Sequence, residues 1–366
     1  MLGEELSTRS GVGIVVKIAG RLVNLALLVM VVSLAGCGSS RHHFVYVIGR
    51  DSEGVFAFEE TSSKGLTKIS GSPFSSGSVP TAIAVAPSRA FAYVLSSGGN
   101  GVLTYTVNST TGALAATAGA VATGNGPVAI AIDPSSQHLY VLNQTSSSIS
   151  AFSIDTTTGA LTALSGSPFA TVAGPVSMVM APKGSALYVV SPSDGIASFT
   201  VNPDGTLSAG QTPLAAGVSP SFVTINPTGK FVYVADSVGN TVLGFTASGA
   251  SLSSMSSPVA LGTTPAALTV DQNGKVLFAA NQGSNNISAL AIGSGGSLSA
   301  VSNSPFAAGT APSFVIVNSS GDHLYVADRD SGDISDFSIS GNGALTAASG
   351  SPIALGMSPS WIAVTD

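Results

Sequence analysis

The sequence predicts an all-β chain closed into a seven-bladed β-propeller, four antiparallel strands to a blade, and three observations predict it. A proline-led apolar segment recurs seven times, opening at Pro80, Pro127, Pro175, Pro220, Pro265, Pro312 and Pro359. Thirteen residues after each of the first six stands an aromatic: Tyr93, Tyr140, Tyr188, Tyr233, Phe278 and Tyr325. The seventh proline has no such partner before Asp366, and the missing aromatic is Tyr46, near the other end. Units of about 45 residues carrying four short strands each are the signature of propeller blades.

Taken in order, the chain begins with Arg9, Lys17 and Arg21 ahead of an apolar run from Leu22 to Leu34. As a helix that run rises only about 20 Å, short of the ~30 Å of hydrocarbon, so it reads as a signal-peptide core. Leu34-Ala35-Gly36-Cys37 follows and resembles the bacterial lipobox, in which the cysteine is acylated and becomes the new N-terminus. An ordinary secretory signal with a chance cysteine is the alternative. Cys37 is the one cysteine of the chain, so no intrachain disulfide forms. The expected division is residues 1–36 as signal peptide, 37–43 as lipid-anchored segment and 44–366 as propeller. With Gly38 after the cysteine, the expected address is extracytoplasmic and bacterial, at the outer membrane where the cell has one.

The fullest repeat, Pro220 to Asp236, reads PSFVTINPTGKFVYVAD. Its proline opens inner strand A, a polar turn follows, and the tyrosine segment is strand B. Strand C comes next, as in Ile149 to Ile154 or Val242 to Thr246, and a turn such as Thr157 to Leu161 leads to outer strand D. A Ser/Thr-Pro-apolar tripeptide is expected to end strand D, its apolar residue being Phe74, Phe169, Leu214, Val259, Phe306 or Ile353. Proline lacks a ladder donor, so it suits an exposed outer edge and blunts sheet-to-sheet pairing. Strands A and B are apolar on both faces, as expected for sheets sandwiched between neighbours. The repeated tyrosines therefore read as inter-blade core rather than as a ligand stack. Trp361 to Thr365 is expected to close the ring by pairing with strands from residues 44–73.

Charged residues make up 8% of the chain against about 25% in an average soluble domain, and the formal net charge is −6. Without a run of Lys and Arg to neutralise phosphates, a nucleic-acid partner is excluded. No nucleophile elbow, P-loop or spaced metal-ligand motif is present, and one tryptophan is too few for a quinoprotein ring. No cofactor and a monomer are expected.

The repeating proline-led strand and hydrophobic-Tyr-Val segment resembles the lactonase-like seven-bladed propellers, relatives of bacterial 6-phosphogluconolactonase and carboxymuconate cycloisomerase, and the YVTN-repeat surface proteins. The resemblance spans residues 44–366. It implies a catalytic face with Pro-Arg-His at the strand-A proline and Asn-Glu after the strand-B tyrosine. Here the pairs after the prolines run Thr81-Ala82, Val128-Ala129, Val176-Ser177, Ser221-Phe222, Ala266-Ala267, Ser313-Phe314 and Ser360-Trp361, none ionisable. At the second site stand Asn143-Gln144, Asp236-Ser237, Asn281-Gln282 and Asp328-Arg329, without a glutamate.

The leading expectation is thus a lipid-anchored module, held to the membrane through Cys37, that binds a protein or glycan through its D–A and B–C loops. The alternative is a sugar-lactone hydrolase using Asp236, Asp328 or Asp330 with Arg329. Asn143 and Asn281, with Phe222, Phe314 and Trp361, are candidate ligand contacts, the aromatics having core packing as their other reading. Asp328, Asp330 and Asp333 around Gly332 have a spacing that could hold Ca²⁺, or form a solvated turn. Asp51, Asp194, Arg50 and Arg329 are expected to rim the same face. His138 and His323 fall on the A–B turn side, away from it, and His42 and His43 sit beside Arg41 at the start of the propeller.

Overall fold

The computed structural model describes residues 42–365 except 50, 53, 62–64, 118 and 256. The signal-peptide and lipidation expectations at residues 1–37, and Arg50, lie outside the described residues. Among the described residues no helix is long and apolar enough to cross a membrane.

The chain forms seven antiparallel sheets. Blade 2 shows the plan: strand A is Pro127–Ile132, B is His138–Asn143, C is Ser148–Ile154 and D is Leu161–Ala163. The Ser-Pro-apolar tripeptide does not end strand D. It breaks the outer edge in two, and a second piece, Phe169–Ala170, pairs again with strand C. The serine explains the break: Ser167 Oγ accepts from Ala151 N at 2.9 Å, standing in for a ladder carbonyl. Ser72, Ser304 and Ser351 do the same for Ala57, Ala289 and Asp336. Blade 3 keeps only a bridge, between Ile196 and Leu214.

Closure is as the sequence predicts. Trp361–Val364 pairs antiparallel with Val45–Ile48, so both ends of the chain complete blade 7. Phe44 N donates to Thr365 Oγ1 and Thr365 N to Phe44 O, extending that seam. Each inner strand contacts the next around the full circle, the strand at Trp361 meeting that at Pro80.

The tyrosines are core, and five of them also tie their blade to the next. Tyr46, Tyr93, Tyr140, Tyr188 and Tyr233 are at most 1% exposed. Their hydroxyls donate to the C–D turn carbonyls of Gly112, Gly159, Gly205, Gly249 and Gly296 in the following blade. A buried phenol gains from a partner, and the C–D turn supplies a glycine carbonyl to these five; Phe278 has no hydroxyl, and the buried Tyr325 hydroxyl has no partner among the described residues.

A bulge follows the strand-A proline in blades 1, 2, 4, 5 and 6. It re-aims the next residue, as bulges do. Thr81, Ser221 and Ser313 use it to donate to the carbonyls of Pro127, Pro265 and Pro359, one blade on. These inner-ring hydroxyls thus join neighbouring blades.

Candidate functional site

Strand A runs from the D–A loop to the A–B turn and strand B returns, so the D–A and B–C loops of all blades share one face. The last residue of strand B reaches that face in every blade from 1 to 6: Ser96, Asn143, Ser191, Asp236, Asn281 and Asp328. All six are buried, at 4% exposure or less.

The bonds of the two asparagines and two aspartates divide by the residue seven positions later, on strand C two places beyond the one directly opposite. Where that residue is serine, Asn143, Asn281 and Asp328 bond it: Asn143 Nδ2 donates to Ser150 Oγ at 3.0 Å and Asn281 Nδ2 to Ser288 Oγ at 2.8 Å. In blade 6 the direction reverses, Ser335 Oγ donating to Asp328 Oδ2 at 2.6 Å. In blade 4 the position is Leu243, and Asp236 turns to the backbone instead. It accepts from Val218 N at 2.7 Å and from Ser219 N and Gly239 N at 2.9 Å. Burial alone would raise the Asp236 carboxyl, but these amides outweigh it and hold it below its ordinary value.

Asp328 has the opposite balance. It is fully buried, and its Oδ1 has no hydrogen-bond partner among the described residues. Burial, with some help from Asp333, pushes its carboxyl up to about 7, against the opposing pull of Ser335.

Glycine stands three residues before the strand-A proline in six of seven repeats, a signal the sequence reading passed over. At four of the six the space explains it, while Gly77 and Gly356 have positive φ, +73 and +72. A Cβ on Gly124, Gly262 or Gly309 would lie 2.5–2.8 Å from the Asn143, Asn281 or Asp328 side chain, and on Gly217 only 2.3 Å from Asp236 Oδ2. Gly217 also has φ +104, so Gly217→Ala combines backbone strain with a lost carboxylate clip. We expect it to cost about 2 kcal/mol or more in urea unfolding, with Gly119→Ala, which meets nothing, as the silent control.

The loops themselves are held rigidly. Thr264 and Ala311, just before their prolines, sit at φ +52 and +55. Their amides donate to Asn240 and Asn285 Oδ1 in the preceding B–C loop, both at 2.8 Å. Left-handed backbone at a β-branched residue persists only when its surroundings impose it.

Phe222, Phe314 and Trp361 come together. The Phe222 and Phe314 rings, from non-adjacent blades 4 and 6, meet edge-on at 5.9 Å, and Phe314 lies 4.4 Å from Trp361. Trp361 packs against clusters from blades on several sides of the ring, which places it at the axis. The three rings plug the axial channel near the loop face; core packing and a partly exposed floor are here the same thing.

The charged candidates separate. Arg329 binds its own neighbour, Nε to Asp330 Oδ1 at 2.7 Å, at an exposed loop tip. Asp333 faces Asp328 across the hairpin and accepts from Ser331. Among the described residues no three acidic, His or Cys side chains gather to hold a metal, so Asp328, Asp330 and Asp333 form no such cluster. Asp194 clips Ala173 N at 2.8 Å, and Asp51 is exposed. His138 pairs with Asp133 and His323 with Asp336 on the far face, while His42 meets Glu59 and His43 meets Ser319.

A family model described as lactonase, 7-bladed beta-propeller matches residues 39–180 and 185–304. A proposed 6-phosphogluconolactonase of Bacteroides fragilis is similar at 20% identity and TM-score 0.79, over 90% of this chain and 99% of that one. The periplasmic gluconolactonase of Pseudomonas aeruginosa follows at 18% and 0.76, over 89% and 99%. Hydrazine synthase of Kuenenia stuttgartiensis shares the fold at 16% and 0.62, over 80% and 91%. No curated protein matches the sequence.

Proposed function

The chain belongs to the lactonase family of seven-bladed β-propellers, and from that premise we propose that it is a lipid-anchored binding module of the cell envelope. Its loop face takes a protein or glycan partner, and acylation of Cys37 supplies the anchor. The observation that carries this reading is what the loop-face carboxylates already do. Asp236 and Asp194 hold backbone amides of their own loops, and Asp328 is sealed against Ser335. The described cation of that face, Arg329, is paired with Asp330. Lys183, Lys230 and Lys275 lie in A–B turns at the opposite face. A phosphorylated sugar acid would find little to hold it.

What the face does offer is rigid and neutral. Val79, Val218 and Val238, the exposed large hydrophobics among the described residues, all lie in its loops, at 44%, 68% and 64% exposure. Val218 supplies one of the amides that Asp236 clips and Val238 adjoins another, that of Gly239, so the apolar tips are pre-ordered, which lowers the entropic cost of binding. The test is Val218→Asp and Val238→Asp in purified residues 38–366, assayed on a glycan array and against envelope proteins. We expect at least about a tenfold loss of affinity for whatever the parent protein captures, with unfolding unchanged. Full retention by both variants overturns the assignment of this face.

One observation favours a second reading, lactone hydrolysis as in the similar gluconolactonases. Asp328 carries a bare oxygen and is poised near 7, the range a general base needs. Turnover of a lactone panel, abolished by Asp328→Asn in a folded protein, would move the function there.

A further inference from the structure

We propose that the cleft between blades 1 and 2, on the loop face, binds a neutral pyranose ring of a glycan. The proposal rests on the glycan half of the reading above and gives it a site. The cleft measures about 200 Å³. That is below the ~300–1,000 Å³ of pockets for drug-sized ligands and suits a single ring. Val79 and Val128 give it apolar walls, and Thr81, Ser97 and Gln144 supply its polar side chains. No lining residue is ionisable, so a phosphate or carboxylate would leave water there without a counter-charge.

The frame of the cleft is already bonded. Ser97 N and Oγ both donate to the Val79 carbonyl, at 3.0 and 3.1 Å, which holds Val79 at φ +50. Thr81 Oγ1 donates to Pro127 O and Gln144 N to Gly126 O, both at 2.8 Å. Gly126 N donates to Asn100 Oδ1 at 2.9 Å. What remains for a ligand is the exposed Gln144 carboxamide, which bonds none of the described residues, and the lone pairs of two hydroxyls. A carboxamide both donates and accepts, as a sugar hydroxyl does, so the two match without charge. The valines face the C–H side of the ring.

Blade 2 alone has this combination. Gly126 leaves the seam open where Thr264 and Ala311 carry side chains at the same repeat position. Blade 3 also has a glycine there, Gly174, but Pro192 stands in place of Gln144. Blade 5 repeats the glutamine as Gln282, with Thr264 before its proline.

The experiment titrates the full-length protein by saturation-transfer NMR. The neutral probes are the methyl pyranosides of glucose, galactose and mannose, and N-acetylglucosamine. Glucuronate and glucose 6-phosphate are the charged counterparts. At least one neutral ring should bind saturably, and both charged sugars about tenfold or more weakly by comparison. Gln144→Ala should weaken the neutral ring about tenfold, while Gln282→Ala should change nothing. Gln144→Glu, which keeps the shape, replaces the alanine variant if that fails to fold, with the same loss expected. Absence of saturable binding by any neutral ring, equal binding by the Gln144 variant, or charged sugars bound as tightly overturns the proposal. Maltose, lactose and chitobiose separate a glycan from a free sugar. They should bind at least as tightly as the single rings, and exclusion of all three overturns the glycan. The premises fail separately. If no ring binds while Val218→Asp and Val238→Asp still lose the captured partner, the cleft falls and the loop-face reading stands. If a ring binds and those variants keep their partner, the reading falls and the cleft stands.

Discussion

Asp328→Asn should leave the protein as stable as the parent at pH 4 and markedly more stable at pH 8. The carboxyl sits near 3.8 when unfolded and is pushed up to about 7 in the fold by burial, which disfavours its charged form. A group with its folded pKa raised favours folding fully below its unfolded pKa. That advantage is lost as pH rises towards and through the folded pKa. Three units correspond to on the order of 4 kcal/mol, so the parent should lose stability of that order between pH 4 and pH 8 from this residue alone. Asparagine removes the titration and has precedent in the molecule. Asn143 and Asn281 occupy the same repeat position, each donating to the strand-C serine that Ser335 matches in blade 6. Urea unfolding of parent and variant across that range is the measurement. Parallel pH profiles would show that Asp328 is ionised without penalty, and the buried-acid account would fall.

His323 acts in the same sense on the far side of blade 6. Its bond to Asp336 at 2.7 Å raises its pKa, opposed by burial and helped by Asp322 and Glu60. Stability from that pair is present while the ring is protonated and fades as pH climbs through its raised pKa. The parent profile therefore keeps a shallower neutral limb in Asp328→Asn rather than becoming flat. Asp133 and Asp236 work oppositely: burial raises each, their hydrogen bonds more than compensate, and stability is lost as pH falls through their lowered values. The optimum should lie on the acid side of neutral.

How much of this was legible in the sequence depended on whether a residue's role repeats. Pro80 to Pro359 and Tyr46 to Tyr325 recur with fixed period because every blade imposes the same edge and the same interface, so count, closure and core could be read directly. Asp236 and Asp328 occupy one repeat position and yet do different things. What separates them is Leu243 against Ser335 on the next strand, a cross-strand relation that spacing along the chain does not display. Likewise Asp328, Asp330 and Asp333 look clustered along the chain. A tight hairpin sends the first into the blade, the second to the tip beside Arg329 and the third to the facing strand. The aromatic plug was half visible: three large residues at one repeat position could be named, but not that rings from blades 4 and 6 would meet across the axis.

Trp361→Ala should be among the most damaging single substitutions in the molecule, costing about 3–5 kcal/mol. The indole packs against residues of four separate core clusters, and the strand it begins, Trp361–Val364, is the four-residue segment that closes the ring. Removing it empties the axis where neighbouring side chains cannot all collapse inward, since each is fixed in its own sheet. The cavity cost therefore adds to the lost burial rather than being relaxed away. Phe314 is the partner through which this can be apportioned. With ring centroids 4.4 Å apart, a double-mutant cycle of Trp361→Ala and Phe314→Ala should give a coupling of about 1 kcal/mol. Phe222→Ala, touching Phe314 but lying three blades away from the closing seam, should cost less than Trp361→Ala and leave the transition cooperative. If Trp361→Ala unfolds at nearly the parent's urea midpoint, the axis is not plugged by this side chain. Closure would then rest on the backbone ladder between Val45–Ile48 and Trp361–Val364 alone.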